Sequence, residues 1–301
     1  MQAFTSLKNQ FKMYLQVEKN ASTYTIKEYI LDVEQFFVFL TKEGIQSVKE
    51  VDDACVRLFL MHLYDQSLSR RSVARKLSTL RTFFKFLERE QYVLDNPFRG
   101  TRLPKQSKKL PNFLYREELE QLFEVSDLSQ PLGQRDQALL ELLYATGMRV
   151  SECQMLTLSD IDFSLHTVKV LGKGRKERYI PVGTYAEAAL TRYIKNGRGQ
   201  LIKDNKTDAV FLNAKGNPLT VRGMRLVLNK LADQAALTAH VHPHALRHTF
   251  ATHLLNEGAD IRSVQELLGH AHLSSTQLYT HVTKDRLKDV YMNSHPRAKR
   301  K

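Results

Sequence analysis

Six side chains from residue 149 onward are of the types that phosphoryl transfer uses. They sit in four short stretches: TGMRVSE with Arg149, GKGRKER with Lys173, HPHALRH with His244 and Arg247, and LGHAHLSSTQLYTH with His270 and Tyr279. Singly, each has an ordinary structural explanation. Arg149 ends an apolar helical run with Glu152 three residues on, the spacing of a helical ion pair. His244 and Arg247 share a helix face by the same spacing. Lys173 lies between glycines in a hairpin turn, His270 follows Leu268 and Gly269 where a helix would be capped, and Tyr279 suits an amphipathic surface. Together they supply what cleavage of a phosphodiester needs without a metal. The five-coordinate transition state gathers negative charge on its non-bridging oxygens, which two bidentate guanidiniums can neutralise. Histidines add hydrogen bonds and move protons, and a lysine can protonate a departing 5′ oxygen. A phenol, with a pKa of about 10 in isolation, becomes a nucleophile among cations. A phosphotyrosine ester would conserve the energy of the broken backbone bond, so that rejoining needs no ATP.

The set Arg, Lys, His-x-x-Arg, His and Tyr, in this order, resembles the tyrosine recombinase (phage integrase) family over essentially the whole chain. TGMRVSE, LGKGRKER, HPHALRHTFATHLL, VQELLGH and LSSTQLYTH carry the likeness, and the ending HPRAKR is similar to the bacterial Xer branch of that family, its XerC type above all. The resemblance implies that Arg149 and Arg247 bind the scissile phosphate with His244 and His270 beside them, that Lys173 is the general acid and that Tyr279 is the nucleophile. Arg175 and Lys176, in the same turn as Lys173, match the family's lysine less well, and Glu152 would support Arg149. No metal or other cofactor is implied.

The same resemblance implies a mainly α fold. An N-terminal four-helix core-binding (SAM-like) domain and an α+β catalytic domain with a small antiparallel sheet would close as a C-shaped clamp on double-stranded DNA. Arg71 and Arg75 would then be groove or phosphate contacts. Relatives of this kind act as four protomers on two DNA sites through a Holliday junction. Implied partners are therefore a dif-like recombination site, a homotetramer or a heterotetramer with a paralogous XerD-like recombinase, and a chromosome-segregation ATPase as activator. The implied role is the resolution of chromosome dimers during segregation and cell division.

The elements that must position these residues are legible in the patterning. Residues 1–100 read almost wholly as helix, with apolar positions three and four apart in about four segments. One follows Ser22 and carries Tyr29, Ile30, Val33, Phe36, Phe37 and Leu40, stopping before Gly44. Another begins around Asp52, and a fourth runs from near Ser69 to about Glu90. In the fourth, arginines and lysines occupy the face that the apolar stripe leaves free, which is either a solvated surface or one that enters a groove. Residues 101–112 fall in a proline-containing basic stretch without periodicity, the signature of a linker. Residues 113–301 form a second domain: REELEQLFEVS and RDQALLELLYATG are helical, DIDF, HTVKVLG and ERYIPV are short strands, and helices resume to the end. In the last of these, Leu287, Val290 and Tyr291 would contact either a neighbouring protomer or their own domain, and HPRAKRK reads as a short basic tail.

Bulk properties agree with a nucleic-acid partner. The chain carries 45 Lys and Arg against 32 Asp and Glu, a formal charge of +13 that suits a polyanion. Two cysteines, Cys55 and Cys153, lie too far apart for a zinc motif and fit a reducing cytoplasm. No apolar run approaches the roughly 18 residues of a membrane span. Three rival readings have discriminating signs. An integrase of a mobile element would share the chemistry but commonly add an arm-binding module before the first helix. A DNA-binding regulator would have lost some of the six positions, whereas all six are present. A metal-dependent nuclease would need a carboxylate cluster, and none is evident.

Overall fold

Short polar residues mark where helices begin in the first hundred residues, because their oxygens accept amide protons that a first turn leaves without partners. The structure, a computed structural model, describes residues 2–101, 113–172, 176–203, 206–237, 241–269 and 281–299. The chain separates into two compact units, Met1–Lys109 and Leu110–Lys301.

In the first unit α1 spans Gln2–Val17, α2 Thr23–Lys42, α3 Asp53–Asp65 and α4 Arg70–Arg89. Ser22 accepts from the Thr25 amide, Asp52 from the Cys55 amide and Ser69 from the Ser72 amide. The apolar stripes meet in a core rich in phenylalanine, where Phe36 stands edge-on to Phe59 with ring centroids 4.9 Å apart and also meets Phe84 and Phe98. Such pairs add about 1 kcal/mol each beyond their burial.

The free face of α4 is less free than its sequence implies. Lys76 is buried, and its ammonium donates to Asp32 at 3.0 Å and to Gln35. Arg75 and Thr79 donate to the other Asp32 oxygen at 2.5 and 2.9 Å, and the Arg81 guanidinium donates to the Phe98 and Thr101 carbonyls. Long side chains reach around the helix, so position on a helical wheel does not settle where a charge ends up. Arg70, Arg71 and Lys85 remain exposed.

The second unit is built around α6, Pro131–Thr146, in which every side chain from Gln134 to Thr146 is buried. Before it lies α5, Arg116–Glu124; after it come α7, Val150–Gln154, and a sheet of β1, Ile161–Asp162, β2, Thr167–Leu171, and β3, Glu177–Pro181. The strands are antiparallel in the order β1-β2-β3, with Val168 opposite Ile180 and Val170 opposite Arg178. Next follow α8, Thr184–Arg192, which continues through a π-helical turn into α9, Arg198–Leu201, and then α10, Val221–Gln234, α11, Pro243–Asn256, α12, Ile261–Leu268, and α13, His281–Ser294. The described residues are thus mainly helical with one small antiparallel sheet, as expected.

α13 packs on its own domain. Leu287 and Tyr291 are buried in the core cluster of the second unit, and the Tyr291 hydroxyl accepts from the Gly183 amide at 3.0 Å. The segment after it is no mere basic tail. His295 is buried and stacks on Tyr291 with centroids 4.8 Å apart, and Ala298 is buried and accepts from the Thr184 amide. Arg297 pairs with the buried Glu141 and lies between the rings of Phe123 and Tyr185, 4.1 and 3.9 Å from their centroids. A carboxylate inside an apolar helix demands a cation, and this stretch supplies it. A side chain on Gly183 would collide with the Arg297 carbonyl at 2.4 Å, so close seating of the tail requires glycine there. Among the described residues no helix is long and apolar enough to cross a membrane.

Candidate active site

The end of α6 sets the first component. Gly147 closes that helix at φ +55, and a Cβ there would lie 2.4 Å from the Phe250 ring, so only glycine permits both the left-handed turn and the approach of α11. Two residues on, Arg149 caps α7. Its amide donates to one Glu152 oxygen at 2.8 Å and its guanidinium to the other at 2.9 Å, while its side chain stays 40% exposed. The ion pair suggested by the spacing is present, and it leaves donor capacity on Arg149 directed elsewhere.

Glu152 is itself buried and held from a second side. Arg178 of β3, also buried, donates to both of its oxygens, at 3.2 and 2.8 Å. Burial works to raise the Glu152 carboxyl, but the hydrogen bonds and charge of Arg178, and then those of Arg149, outweigh it and hold the group below its ordinary range. Glu152 is therefore ionised at neutral pH.

Arg247, on the second turn of α11, donates to the Gly147 carbonyl at 2.6 Å and to the Leu268 carbonyl at 2.8 Å. These bonds tie the turn that carries Arg149 to the end of α12, yet neither neutralises charge. Burial, and then the nearby Arg149, push the guanidinium down to about 10, so it stays protonated at neutral pH but carries a charge its surroundings do not offset. Three guanidiniums, of Arg149, Arg178 and Arg247, share one carboxylate, Glu152, an excess of two positive charges at this corner. Such an arrangement is short of an anion.

His244 lies one helical turn before Arg247, exposed, with its ring 6.4 Å from that of His242. Burial, and then the charges of His242, Arg225, Arg247 and Arg149, lower its pKa, so the imidazole is neutral at neutral pH and can donate one hydrogen bond and accept another. His242 caps α11, its Nδ1 accepting from the Ala245 amide at 2.8 Å. α12 ends at Gly269, φ +67, against the Arg178 guanidinium.

Of the six expected residues the structure thus brings Arg149, His244 and Arg247 together. Lys173, His270 and Tyr279 lie outside the described residues, and so does Arg175. Sequence reasoning missed Arg178, His242 and Arg225. A signal existed for Arg178: it shares strand parity with Ile180 and Val182, so a charge stands on the inward face of the strand. In the first unit Arg71 is exposed, whereas Arg75 is already bound to Asp32 and lies 3.5 Å from Glu28. Among the described residues no group of three or more His, Cys, Asp or Glu side chains is placed to hold a metal ion.

Comparison with known proteins gives consistent matches. The pattern of the phage integrase family matches residues 112–286, and that of the phage integrase N-terminal SAM-like domain matches residues 9–91. The chain is 62% identical over 290 residues to a tyrosine recombinase XerC of Oceanobacillus iheyensis, covering 96% of this chain and 95% of that protein. It is 56% identical over 293 residues to a tyrosine recombinase XerC of Bacillus subtilis, covering 97% and 96%. Among solved structures, XerH site-specific recombinase bound to a palindromic difH substrate in a post-cleavage complex matches with a TM-score of 0.70 at 28% identity, covering 95% of this chain and 84% of that one.

Proposed function

The chain belongs to the phage integrase family and, within it, to the XerC-type tyrosine recombinases, which are site-specific DNA recombinases, and from that premise we propose that it resolves chromosome dimers at dif-like sites during chromosome segregation and cell division. The observation that carries the reading is the excess of positive charge held by Arg149 and Arg247 around Glu152, a seat for one phosphodiester. The high identity to XerC proteins along nearly the whole chain, and the difH substrate of the XerH structure, support the choice of target.

In this reading Arg149 and Arg247 take the non-bridging oxygens of the scissile phosphate and strengthen their hold as charge grows there. The Tyr279 oxygen attacks phosphorus, a 3′-phosphotyrosine bond forms, and the bond to the 5′ oxygen breaks. Lys173 protonates that oxygen. Neutral His244, with His270, donates to the phosphate and relays the proton leaving the phenol. Attack by a 5′ hydroxyl from the other duplex reverses the steps and frees the tyrosine, so atoms and energy balance without a cofactor. DNA is the partner, contacted from the first unit by Arg71 and by the exposed edge of Arg75. Four protomers act on two sites, with a paralogous XerD-like recombinase and a segregation ATPase as activator, in the cytoplasm.

The test uses a duplex carrying a dif-like site, nicked beside the scissile phosphate so that the released fragment diffuses away. Wild-type protein should become covalently attached in the presence of EDTA, and Tyr279→Phe should shift the DNA on a native gel yet form no covalent band. Attachment by the phenylalanine variant would overturn the assignment.

A further inference from the structure

Arg178 is a buried cation that none of the chemical steps above uses, and it touches both the carboxylate that holds Arg149 and the end of α12. Its two terminal nitrogens hold Glu152, which in turn holds the backbone and guanidinium of Arg149. Its Nε donates to the Leu267 carbonyl at 3.2 Å, one residue before the carbonyl that Arg247 holds. A Cβ on Gly269, the residue immediately before His270, would lie 3.1 Å from the guanidinium carbon. One on Gly172, immediately before Lys173, would lie 3.4 Å from a terminal nitrogen. Gly172 also closes the hairpin by donating to the Lys176 carbonyl at 2.8 Å.

We propose that Arg178 is the positioning residue of the recombination reaction: one buried guanidinium that fixes Arg149 through Glu152 while anchoring both to the last turn of α12 at the Leu267 carbonyl. The proposal rests on the site assignment above. A simple ion pair would need only one bond to Glu152. Here the planar fork spends both ends on the carboxylate and its Nε on α12, a geometry that lysine, a point charge, cannot reproduce. Gly269 sits where a side chain would press on the guanidinium. Binding and chemistry divide accordingly. Arg178 is buried and faces inward, so its loss should leave affinity nearly unchanged. It should slow cleavage, because a small displacement of groups around a reacting phosphate is costly in rate.

The experiment compares full-length Arg178→Lys, Arg149→Ala and the double variant on the nicked dif-like duplex, measuring the single-turnover rate of covalent attachment, the native-gel affinity and the thermal midpoint. Arg178→Lys should attach about 100-fold more slowly with affinity within about 3-fold of wild type. In the Arg149→Ala background the same change should cost less than about 5-fold, because a residue acting largely through Arg149 loses most of its leverage once that side chain is gone. An equal loss in both backgrounds, or a loss explained by the melted fraction, would overturn the proposal. So would unchanged attachment by Arg178→Lys. If Arg149→Ala itself attaches at the wild-type rate, the site assignment fails instead. Should Arg178→Lys not fold, Glu152→Gln reads the same linkage from its other end: the expected result is slowed attachment at unchanged affinity, and wild-type attachment overturns the proposal.

Discussion

Two buried carboxylates, Asp32 in the first unit and Glu152 in the second, are each held by two cations, and the two clusters end differently. Asp32 in the first unit accepts from Arg75, Lys76 and Thr79, with Glu28 3.5 Å from the same arginine, so two acids meet two bases and the charges close on themselves. Glu152 in the second unit accepts from Arg149 and Arg178 with Arg247 beside them, so one acid meets three bases. The first arrangement is a joint between α2 and α4. The second is the candidate site, because its surplus charge is stored where one guanidinium stays partly open to solvent. Counting charges around a buried acid, rather than noting that the acid is paired, separates the two.

Substitutions can break that distinction. The largest effect on chemistry is expected from Arg247→Ala, which should lower the rate of covalent attachment about 1,000-fold. Its cost to stability should be modest, since removing a cation repelled by Arg149 offsets part of the loss of two hydrogen bonds. Attachment within tenfold of wild type would place the phosphate elsewhere. Asp32→Ala should behave in the opposite way, destabilising the first unit by about 3 kcal/mol in denaturant unfolding because Lys76 is left buried and unpaired. The attachment rate per folded molecule should stay within about 3-fold; a catalytic collapse without unfolding would erase the contrast. The smallest effect sharpens it. Arg71→Ala, at an exposed position, should weaken DNA binding uniformly across sequences and reduce the salt dependence of log affinity by about one unit, as expected for one phosphate contact, without altering unfolding.

Local signals were the legible part of the sequence. Ser22, Asp52 and Ser69 marked helix starts because a cap acts within three residues. Arg149 with Glu152, and His244 with Arg247, announced themselves by helical spacing. What the sequence hid depends on contacts between distant segments. Arg178 reads as one more cation in a basic hairpin until Glu152 and the end of α12 are brought to it. Arg75 and Lys76 read as a free basic face until Asp32 is found beneath them. The run ALLELLY held a hint in Glu141, an acid on an apolar helix, but nothing local names Arg297 as its partner.

The seating of residues 295–298 against α6, Gly183 and Thr184 bears on how the chain acquires its shape in time. Contacts between Glu141 and Arg297 span 156 residues, whereas the first unit is assembled from helices that follow one another closely. Loops that long close slowly, so the first unit can be complete while the second still lacks the last wedge of its core. During synthesis, the anion-hungry cluster at Arg149 and Arg247 would therefore exist only in an unfinished domain until His295, Arg297 and Ala298 have been made and docked, which, in the function proposed above, orders DNA contact by the first unit ahead of any capacity to cut.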